Sequence, residues 1–372
     1  MKKILLFTAV IFILVIIVLW VRHGGGDPYP DLSTVPRLNS EAIEVVLSYP
    51  EPIGNVAVNA DGRIFFTVHP ESRPQGNKLL EYVDGAAVPY PSGRQQTELF
   101  DTVLGIAIDR FDRLWTIDHG NHGLRPARIV GIDLKSGEVI RLQQLDKKIA
   151  PLGSFLQDLQ VSADGRTIVI ADASFWRKSP AIIVYDIQTG DARRVLENHE
   201  SVTAEHFIIR TRGHDMEFVG GIVVLRGGID GIALGPEWLY YGALSGSGLY
   251  RVRLKDLLDK ALPASQLAKR VDRYSDKPLS DGLSTDVNGN IFITDVEHSS
   301  VFIVGPDQEL ATLVHSKLIR WPDALSFGPD GYLYLADSAL PDLILQSAEH
   351  IKASGPYYIF RFQPGSEGVP GQ

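Results

Sequence analysis

The chain has 372 residues, of which 44% are hydrophobic, enough to build a large packed core. Its formal net charge of −9 disfavours a nucleic-acid partner, because phosphate binding requires a positive surface. The sequence has no cysteine, which excludes disulfides, thiolate metal sites, cysteine nucleophiles and lipid attachment through an N-terminal cysteine.

An apolar segment near the amino terminus predicts a membrane or export element. Residues 4–21 follow Lys2 and Lys3, and Thr8 is their only polar side chain. As a helix the segment would measure roughly 27 Å, close to the thickness of a hydrocarbon core. It runs into Leu-Trp-Val-Arg-His instead of a small-residue cleavage site, which favours an uncleaved anchor over a signal peptide.

The domain boundaries at this end follow from that segment. We predict a signal anchor or signal peptide over residues 1–22, with membrane contact through residues 4–21. The basic residues ahead of the segment predict that the rest of the chain faces the periplasm or the cell exterior, or is secreted if the segment is cleaved. Residues 23–40 are rich in Gly and Pro and predict a flexible tether.

A pattern of two short apolar runs separated by a tight polar turn recurs six times after the tether. Each copy is typical of a β-hairpin. The copies begin at Gly54, Leu104, Gln157, Asp230, Asp281 and Pro322. Most of these spacings are about 40 to 50 residues, as in propeller blades. The wider gap between the third and fourth copies indicates an insertion over residues 191–229, for which we expect an extra hairpin or a lid.

The repeat predicts an all-β fold, a six-bladed β-propeller over residues 41–363. Residues 42–47 predict a strand before the first copy, and residues 357–362 predict one after the last. Pairing of these two strands in one blade would close the ring and remove its open edges. The Gly- and Pro-rich residues 364–372 predict a loose C-terminal tail.

Two segments resemble the yellow / major royal jelly protein family. They are Trp115-Thr-Ile-Asp-His-Gly120 and, above all, Leu239-Tyr-Tyr-Gly-Ala-Leu-Ser-Gly-Ser-Gly-Leu-Tyr250. The resemblance extends from about Pro50 to Phe362 and implies a six-bladed propeller that is usually exported. It implies little chemistry, since some insect members are linked to dopachrome conversion and others are ligand-binding or nutritive proteins. Without the cysteines of secreted insect members, this chain resembles their bacterial relatives and, more distantly, SMP-30/gluconolactonase propellers.

Aspartates recur at the start of the predicted inner strands. Asp230, Asp281 and Asp323 form one column of the repeat, and Asp158 stands one place off. Such carboxylates would converge on the propeller axis, where like charges raise each other's pKa or are compensated by a cation. The alternative is that each aspartate only satisfies its own turn.

The gluconolactonase resemblance gives this column a second interpretation. Those propellers hold one divalent ion with acidic and Asn side chains from different blades. For this chain the resemblance implies Ca²⁺ or a similar cation held by Glu51, Asp158, Asp230 and Asp281. Asn55 and Asp323 are then candidate ligand-binding residues on the same face.

Other polar and aromatic side chains belong to the same predicted face. A second column, at the end of the second strand, consists of Asp118, Asp172, Asp295 and Asp337 and is foremost repeat architecture. Within it, Asp118 and His119 are the candidate acid–base residues, because His is a natural proton shuttle near neutral pH. His122, His298 and Trp176 are candidate ligand-binding residues. The pairs Phe175-Trp176 and Tyr240-Tyr241 could line an aromatic mouth.

Three functions are compatible with this pattern. The first is an extracytoplasmic propeller that binds a small organic ligand at the axial mouth and isomerises it in the manner of a dopachrome tautomerase. The second is a divalent-metal-dependent lactone hydrolase. The third is a non-catalytic interaction platform.

Overall fold

The computed structural model describes residues 2–372, apart from the side chains of Lys2, Leu5 and Leu6. The first residue of the predicted 1–22 segment therefore lies outside the described residues. Six antiparallel four-stranded sheets form the blades, and their inner strands contact one another in a closed ring. The prediction of an all-β, six-bladed β-propeller is confirmed.

The strands run from the axis outward in each blade. The first three blades contain Ile53–Val58, Ile64–Val68, Leu79–Val83 and Ala86–Pro89; Val103–Ile108, Arg113–Asp118, Arg128–Asp133 and Val139–Gln144; Leu156–Val161, Thr167–Asp172, Ala181–Asp186 and Ala192–Val195. The last three contain Ile229–Leu234, Trp238–Ala243, Gly248–Arg253 and Asp272–Asp276; Leu283–Thr285, Ile291–Asp295, Ser300–Val304 and Leu310–His315; Pro322–Phe327, Leu333–Asp337, Tyr357–Phe362 and Glu44–Tyr49. Neighbouring blades cover both faces of the inner strands, so most of these strands are buried along their whole length.

The last blade closes the ring as expected. Its outer strand, Glu44–Tyr49, precedes the first blade in the chain and pairs with Tyr357–Phe362 in an antiparallel register. The N-terminal strand thereby joins the two ends of the propeller, and its bounds lie two residues beyond those predicted.

One long N-terminal helix precedes the propeller, and short helices and 3₁₀ turns lie in the segments around the strands. The helices are Lys2–His23, Gly93–Leu99, Gly120–Gly123, Leu254–Leu258, Ala264–Ala268 and Ala348–Ala353, and the 3₁₀ turns are Ser40–Ala42, Pro70–Ser72, Glu200–Val202, Pro329–Gly331 and Leu340–Asp342. Among the residues that the structure describes, no helix meets the length and apolarity needed to cross a membrane.

The insertion forms a lid over one end of the axis. We define the lid as residues 207–225, which contain the hairpins Arg210–Thr211 with His214–Asp215 and Glu217–Phe218 with Val223–Val224. The Arg210 amide donates to Glu297 Oε1 at 2.6 Å, and Arg212 Nη1 lies 3.3 Å from Asp342 Oδ2. The lid is thus attached to the fifth and sixth blades, and the expected extra hairpin is confirmed.

The predicted flexible tether is attached to the propeller. Asp27–Pro28 pairs in parallel with Phe207–Ile208. Farther along, the Arg37 and Leu38 amides donate to carbonyls of the outer strand of the fifth blade, at Thr312 and Leu313. The composition suggested freedom, but the backbone of this segment finds hydrogen-bond partners on the surface.

The C-terminal tail differs from the predicted loose segment in the same way. The Gly371 amide donates to the Phe327 carbonyl at 2.8 Å, and the Gln372 carbonyl accepts from the Phe327 amide at 2.9 Å. Ile108 donates to the Gly371 carbonyl, and Gln372 Nε2 donates to Val161. These contacts involve the far ends of inner strands, so the tail covers the end of the axis opposite the lid.

Candidate active site at the axial mouth

Four aspartates at or just before the start of inner strands converge on the axis beneath the lid. We call them the axial aspartates: Asp158, Asp230, Asp281 and Asp323. Glycines let the blades approach closely here, since a Cβ at Gly282 would lie 2.6 Å from the Asp323 carbonyl oxygen, and one at Gly231 would overlap the carbonyl oxygen of Asp281. In each of these Asp-Gly pairs, the carboxyl group thus stands next to a position where a side chain would clash with the neighbouring blade.

The environment of the axial aspartates favours their protonated forms. Burial raises the pKa of both Asp158 and Asp281 to about 7. The pKa of Asp230 is raised well above its ordinary value by burial and by the charges of Asp281 and Asp323, and that of Asp323 by burial and by Asp281. The expected mutual effect of the carboxylates contributes to the raised pKa of Asp230 and Asp323, after burial. At neutral pH they offer O–H donors as well as acceptors.

Their hydrogen bonds leave two buried oxygens without a partner among the described residues, Oδ1 of Asp230 and Oδ2 of Asp323, and only Asp230 lines the pocket. Asp281 accepts from Trp321 Nε1 at 2.7 Å and from Gln157 Nε2 at 3.3 Å. Asp158 accepts from the Leu159 amide at 2.8 Å. The Oδ1 atom of Asp230 is buried and has no partner among the described residues. Leaving such an atom unpaired costs about 1–3 kcal/mol, so it marks a position for a ligand group.

Lys277 offsets the negative charge of this centre only in part. It is fully buried, and its Nζ donates to the Pro278 carbonyl at 3.0 Å and to Ser280 Oγ at 2.9 Å. Burial lowers its pKa to about 7. The acids near it therefore depend on protonation, more than on Lys277, to reduce their repulsion.

A pocket of about 180 Å³ lies between the axial aspartates and the lid. The aromatic side chains Phe155, Phe175 and Trp176 and the lid residues Phe218, Val219 and Val223 form its apolar walls. Its polar lining consists of His69, Glu71, His122, Gln157, Asp230 and Asp281. The pocket is therefore mostly apolar, with its polar groups concentrated on the floor and one wall.

The polar wall contains a carboxylate–imidazole pair. Glu71 Oε1 lies 3.0 Å from His122 Nε2. Burial alone would raise the pKa of Glu71, but the His122 hydrogen bond and charge outweigh it and lower the pKa to about 2. The ionised Glu71 carboxylate accepts a hydrogen bond from Nε2–H, so the second proton of the His122 ring is bound and released at Nδ1. That atom is buried without a partner among the described residues.

The loop around His122 holds the pair in place. His122 has a φ of 55° and its ring stacks on Phe155, with centroids 4.9 Å apart. The His122 amide donates to His119 Nδ1 at 3.0 Å. Burial, and then His122, lowers the pKa of His119 to about 3. His119 is thus a neutral support behind the wall, and Asn121 and His122 share the left-handed backbone of this loop.

Asp118, the other expected catalytic residue, is a loop clamp. Its buried carboxylate accepts hydrogen bonds from the amides of Asp101 at 2.5 Å, Thr102 at 3.0 Å and Gly120 at 3.0 Å, and from the Thr102 hydroxyl at 2.9 Å. Asp172, Asp295 and Asp337 bind loop donors in the same way. This column is repeat architecture, as its position suggested, and Asp118 does not line the pocket.

The remaining predicted residues fall into two groups. His122 and Trp176 line the pocket, whereas Asn55, Asp323 and His298 do not. Asn55 is buried in an inner strand, and Asp323 lies behind His69. His298 is bonded to Asp295, which raises the pKa of His298 to about 9. Of the two aromatic pairs, Phe175 and Trp176 reach the mouth, while Tyr240 and Tyr241 are core residues.

The expected metal ligands do not form a metal centre. Within the described part of the chain, no three carboxylate or imidazole groups come together as metal ligands. Glu51 is half-buried, bonded to Tyr49 and absent from the pocket lining. Asp281 is already occupied by two N–H donors. As they are placed, these side chains therefore do not form a ligand set for a divalent ion.

Sequence reasoning missed several residues of this site. Glu71 and Gln157 lie outside the aspartate columns and are not repeated from blade to blade. Phe155 and the lid residue Phe218 lie in segments without a motif. Glu71 follows His69 in the loop after the second strand, the position that supplies His122 in the next blade. Comparing these loops from blade to blade would have singled it out.

Comparisons with known proteins agree with this architecture. The model of the family described as major royal jelly protein matches residues 101–345, about two thirds of the chain. Major royal jelly protein 3 of Apis mellifera is 27% identical over 218 residues, which cover 55% of this chain and 38% of that protein. The chain therefore matches well under half of that relative's length.

Solved structures share the fold at low identity. A gluconolactonase from Xanthomonas campestris has a TM-score of 0.53 at 14% identity, covering 91% of this chain and 98% of that one. The calcium-binding protein regucalcin from Agrobacterium tumefaciens has a TM-score of 0.55 at 14% identity, covering 88% of this chain and 96% of that one. At this identity the likeness is one of fold alone.

Proposed function

We propose that this chain, which belongs to the major royal jelly protein family, binds a small and largely apolar ring compound in its axial pocket. The observation that carries the proposal is the pocket itself: aromatic and aliphatic walls enclose a floor where Asp230 has an unpartnered oxygen. Cavities of about 150 Å³ with apolar walls hold a benzene-sized molecule, and this pocket measures about 180 Å³.

The polar floor defines which ring compounds suit the site. Protonated Asp230 donates to a carbonyl or hydroxyl oxygen, and Gln157 Oε1 is a second buried atom without a partner among the described residues. A ligand with one or two oxygen substituents at one end of a ring satisfies both atoms. Phenolic and catechol-like compounds have this form.

Calorimetric titration of the full chain with phenols, catechols and indoles tests the binding proposal. Trp176→Ala removes an apolar wall, and we expect about tenfold weaker binding. Phe111→Ala is the matched control, since Phe111 is 47% exposed and lies outside the pocket, whereas Trp176 is 44% exposed. Equal affinities of the wild type and Trp176→Ala would contradict the proposal.

A second function, isomerisation by proton transfer, is favoured by the Glu71–His122 pair. His122 Nδ1 has a free lone pair and accepts a proton from one ring position, while the Asp230 carboxyl group donates a proton to a ring oxygen. The ligand keeps its composition, as in a dopachrome-type tautomerisation; afterwards His122 releases its extra proton to water and Asp230 takes one up. Glu71 holds the imidazole in the required tautomer.

Exchange of ligand hydrogen for solvent deuterium tests the isomerase function. We expect bound ring compounds to exchange at one carbon position with the wild type and about a hundredfold more slowly with His122→Gln. His350→Gln, at an exposed histidine of the Ala348–Ala353 helix, should exchange at the wild-type rate. Exchange unaffected by His122→Gln would rule out this role.

We also propose that the chain is exported and held at the outer face of the membrane by its N-terminal helix. The support is that side chains such as Ile4, Phe7, Phe12 and Val18 are exposed instead of packed on the propeller. Protease digestion of intact cells and of permeabilised cells tests this location. Protection of the propeller in intact cells with access only after permeabilisation of the cytoplasmic membrane would contradict it.

A further inference from the structure

A second cavity adjoins the axial pocket and differs from it in charge. It measures about 430 Å³ and lies where the end of the N-terminal helix meets the third and fourth blades. Three cations line it, Arg22, Lys178 and Arg226, together with Ser174 and Thr203. The lining contains no carboxylate. We call it the cationic cavity.

The three cations have no acidic partner. None of them takes part in a salt bridge among the described residues; their donors go to backbone carbonyls and, for Arg226 Nη1, to His206 Nδ1. Arg22 Nη2 donates to Arg177 at 2.6 Å, Lys178 Nζ to Arg226 at 2.8 Å, and Arg226 Nη2 to Gly24 at 2.8 Å. The Nε atom of Arg226 is buried and has no partner among the described residues.

Groups close to the cavity do not cancel this charge. His23 is neutral, because burial and the neighbouring cations lower its pKa to about 4. His206 faces Arg226 Nη1 at 2.8 Å and acts as an acceptor there. Glu197 is engaged by Arg177 and Arg194, and Glu205 by Ser247. The carbonyl end of the N-terminal helix offsets only part of the charge of Arg22.

Gathering like charges in a half-buried space is unfavourable unless an anion joins them. The cost is visible in Lys178, whose pKa burial and then Arg226 and Arg22 lower to about 7. The protein has a net charge of −9, so the positive charge of the cationic cavity is opposite in sign to that of the whole chain. An anion bound here would restore the charge of Lys178 and pair the free Arg226 Nε.

We propose that the cationic cavity binds a phosphate group, supplied by a soluble phosphate ester or by a phospholipid headgroup. Phosphate oxygens suit the guanidinium fork of Arg226 together with the ammonium group of Lys178, and their tetrahedral arrangement lets all three cations donate at once. A carboxylate would supply only two acceptor oxygens. The volume exceeds that of a phosphate ion, so the group attached to the phosphate fits as well.

Titration with inorganic phosphate at constant ionic strength tests the site. The full chain, kept in neutral detergent to cover its exposed apolar helix, should bind phosphate saturably at one site and unfold at a higher midpoint as phosphate is added. Lys178→Gln keeps a donor for the Arg226 carbonyl but removes the charge, and we expect about tenfold weaker binding. Lys178→Arg should bind within about twofold of the wild type.

The control is Lys269→Gln, at an exposed lysine outside the cavity, which should leave phosphate binding unchanged. Equal phosphate affinities of the wild type and Lys178→Gln would overturn the proposal, as would non-saturable binding. If Lys178→Gln does not fold, loss of phosphate binding in Arg22→Gln, at an exposed cation of the cavity, with Lys269→Gln unaffected, supports the site, and unchanged binding in Arg22→Gln overturns it.

The source of the phosphate is distinguished in a second arm. Bilayer discs of phosphatidylcholine alone and discs with added phosphatidylglycerol are compared as competitors of inorganic phosphate. Competition by the phosphatidylglycerol discs, lost in Lys178→Gln, assigns the site to a lipid headgroup. Binding of inorganic phosphate without competition by either disc assigns it to a soluble phosphate ester.

Discussion

His69 Nε2 lies 3.7 Å from Asp323 Oδ2, and both side chains are buried. The Glu71 amide donates a hydrogen bond to His69 Nδ1. The ring proton of His69 is therefore on Nε2 and points toward Asp323. Burial lowers the pKa of His69 to about 4, and burial together with Asp281 raises that of Asp323 well above its ordinary value. Near neutral pH the contact joins two uncharged groups. His69 and Asp323 thus meet next to the pocket as neutral groups and not as an ion pair.

Replacing Asp230 by Asn should change how stability depends on pH. The folded-state pKa of Asp230 is raised above the unfolded value, so its contribution is complete below pH 4 and is lost as pH rises through the folded pKa. Asp230→Asn does not titrate. Relative to the wild type, its free energy of unfolding should rise by about 1–2 kcal/mol between pH 4.5 and 7.5. Urea unfolding measures this, with Asp84→Asn as an exposed control, and a difference that is independent of pH would contradict it.

Asp118→Asn should destabilise the fold and spare the site. The amide group turns an N–H donor toward backbone donors that Asp118 now satisfies, at a cost of about 2–3 kcal/mol. Ligand affinity, measured below the unfolding transition, should be unchanged because Asp118 does not line the pocket. A large loss of affinity without a loss of stability would return Asp118 to the catalytic role predicted from sequence.

Glu71→Gln should separate binding from proton transfer. The substitution keeps the shape of the wall but removes the negative charge that orients His122. Deuterium exchange into a bound ligand should slow about a hundredfold, while the dissociation constant changes less than about threefold. Glu349→Gln, on an exposed helix, serves as the matched control. Parallel losses of both quantities would point to a purely structural Glu71.

Extensive dialysis against a chelator should leave the unfolding midpoint unchanged, because the described carboxylates and imidazoles do not combine into a ligand set. Elemental analysis of the dialysed full chain accompanies the measurement. One stoichiometric divalent ion, with a lower midpoint after its removal, would revive the lactone hydrolase interpretation.

Gly368→Ala should be costly in spite of its place in the tail. A Cβ there would overlap the ring of Phe327, and overpacking of this kind costs about 1–3 kcal/mol. Gly76→Ala is the control, since a Cβ at Gly76 meets no atom within 4 Å. Urea unfolding of both variants checks the comparison, and equal stabilities would mean that the tail leaves the ring at little cost.

The ring was predictable because its signals are local. Two apolar runs and the turn between them predict each hairpin, and the spacing of the hairpins predicts the number of blades. The axial aspartates were found for the same reason, since Asp230-Gly231 and Asp281-Gly282 repeat one local arrangement.

What escaped prediction depends on packing between distant segments. Glu71 contacts His122, which is 51 residues away in the sequence, and no periodic pattern predicts that pair. Tyr241 and Trp176 are similar residue types, yet one is buried between blades and the other stands at the mouth. The Gly- and Pro-rich tail has the composition of a mobile segment, but Gly368 and Gly371 serve instead to let it pass close to Phe327 and Ile108.

The C-terminal tail also determines the end of the axis from which the pocket is reached. Gly371 and Gln372 are hydrogen-bonded across the far ends of the inner strands, so the tail closes that end of the axis. The lid lies at the other end, next to the pocket. The ligand proposed above would therefore enter and leave on the lid side, where Phe218 and Val223 line the pocket.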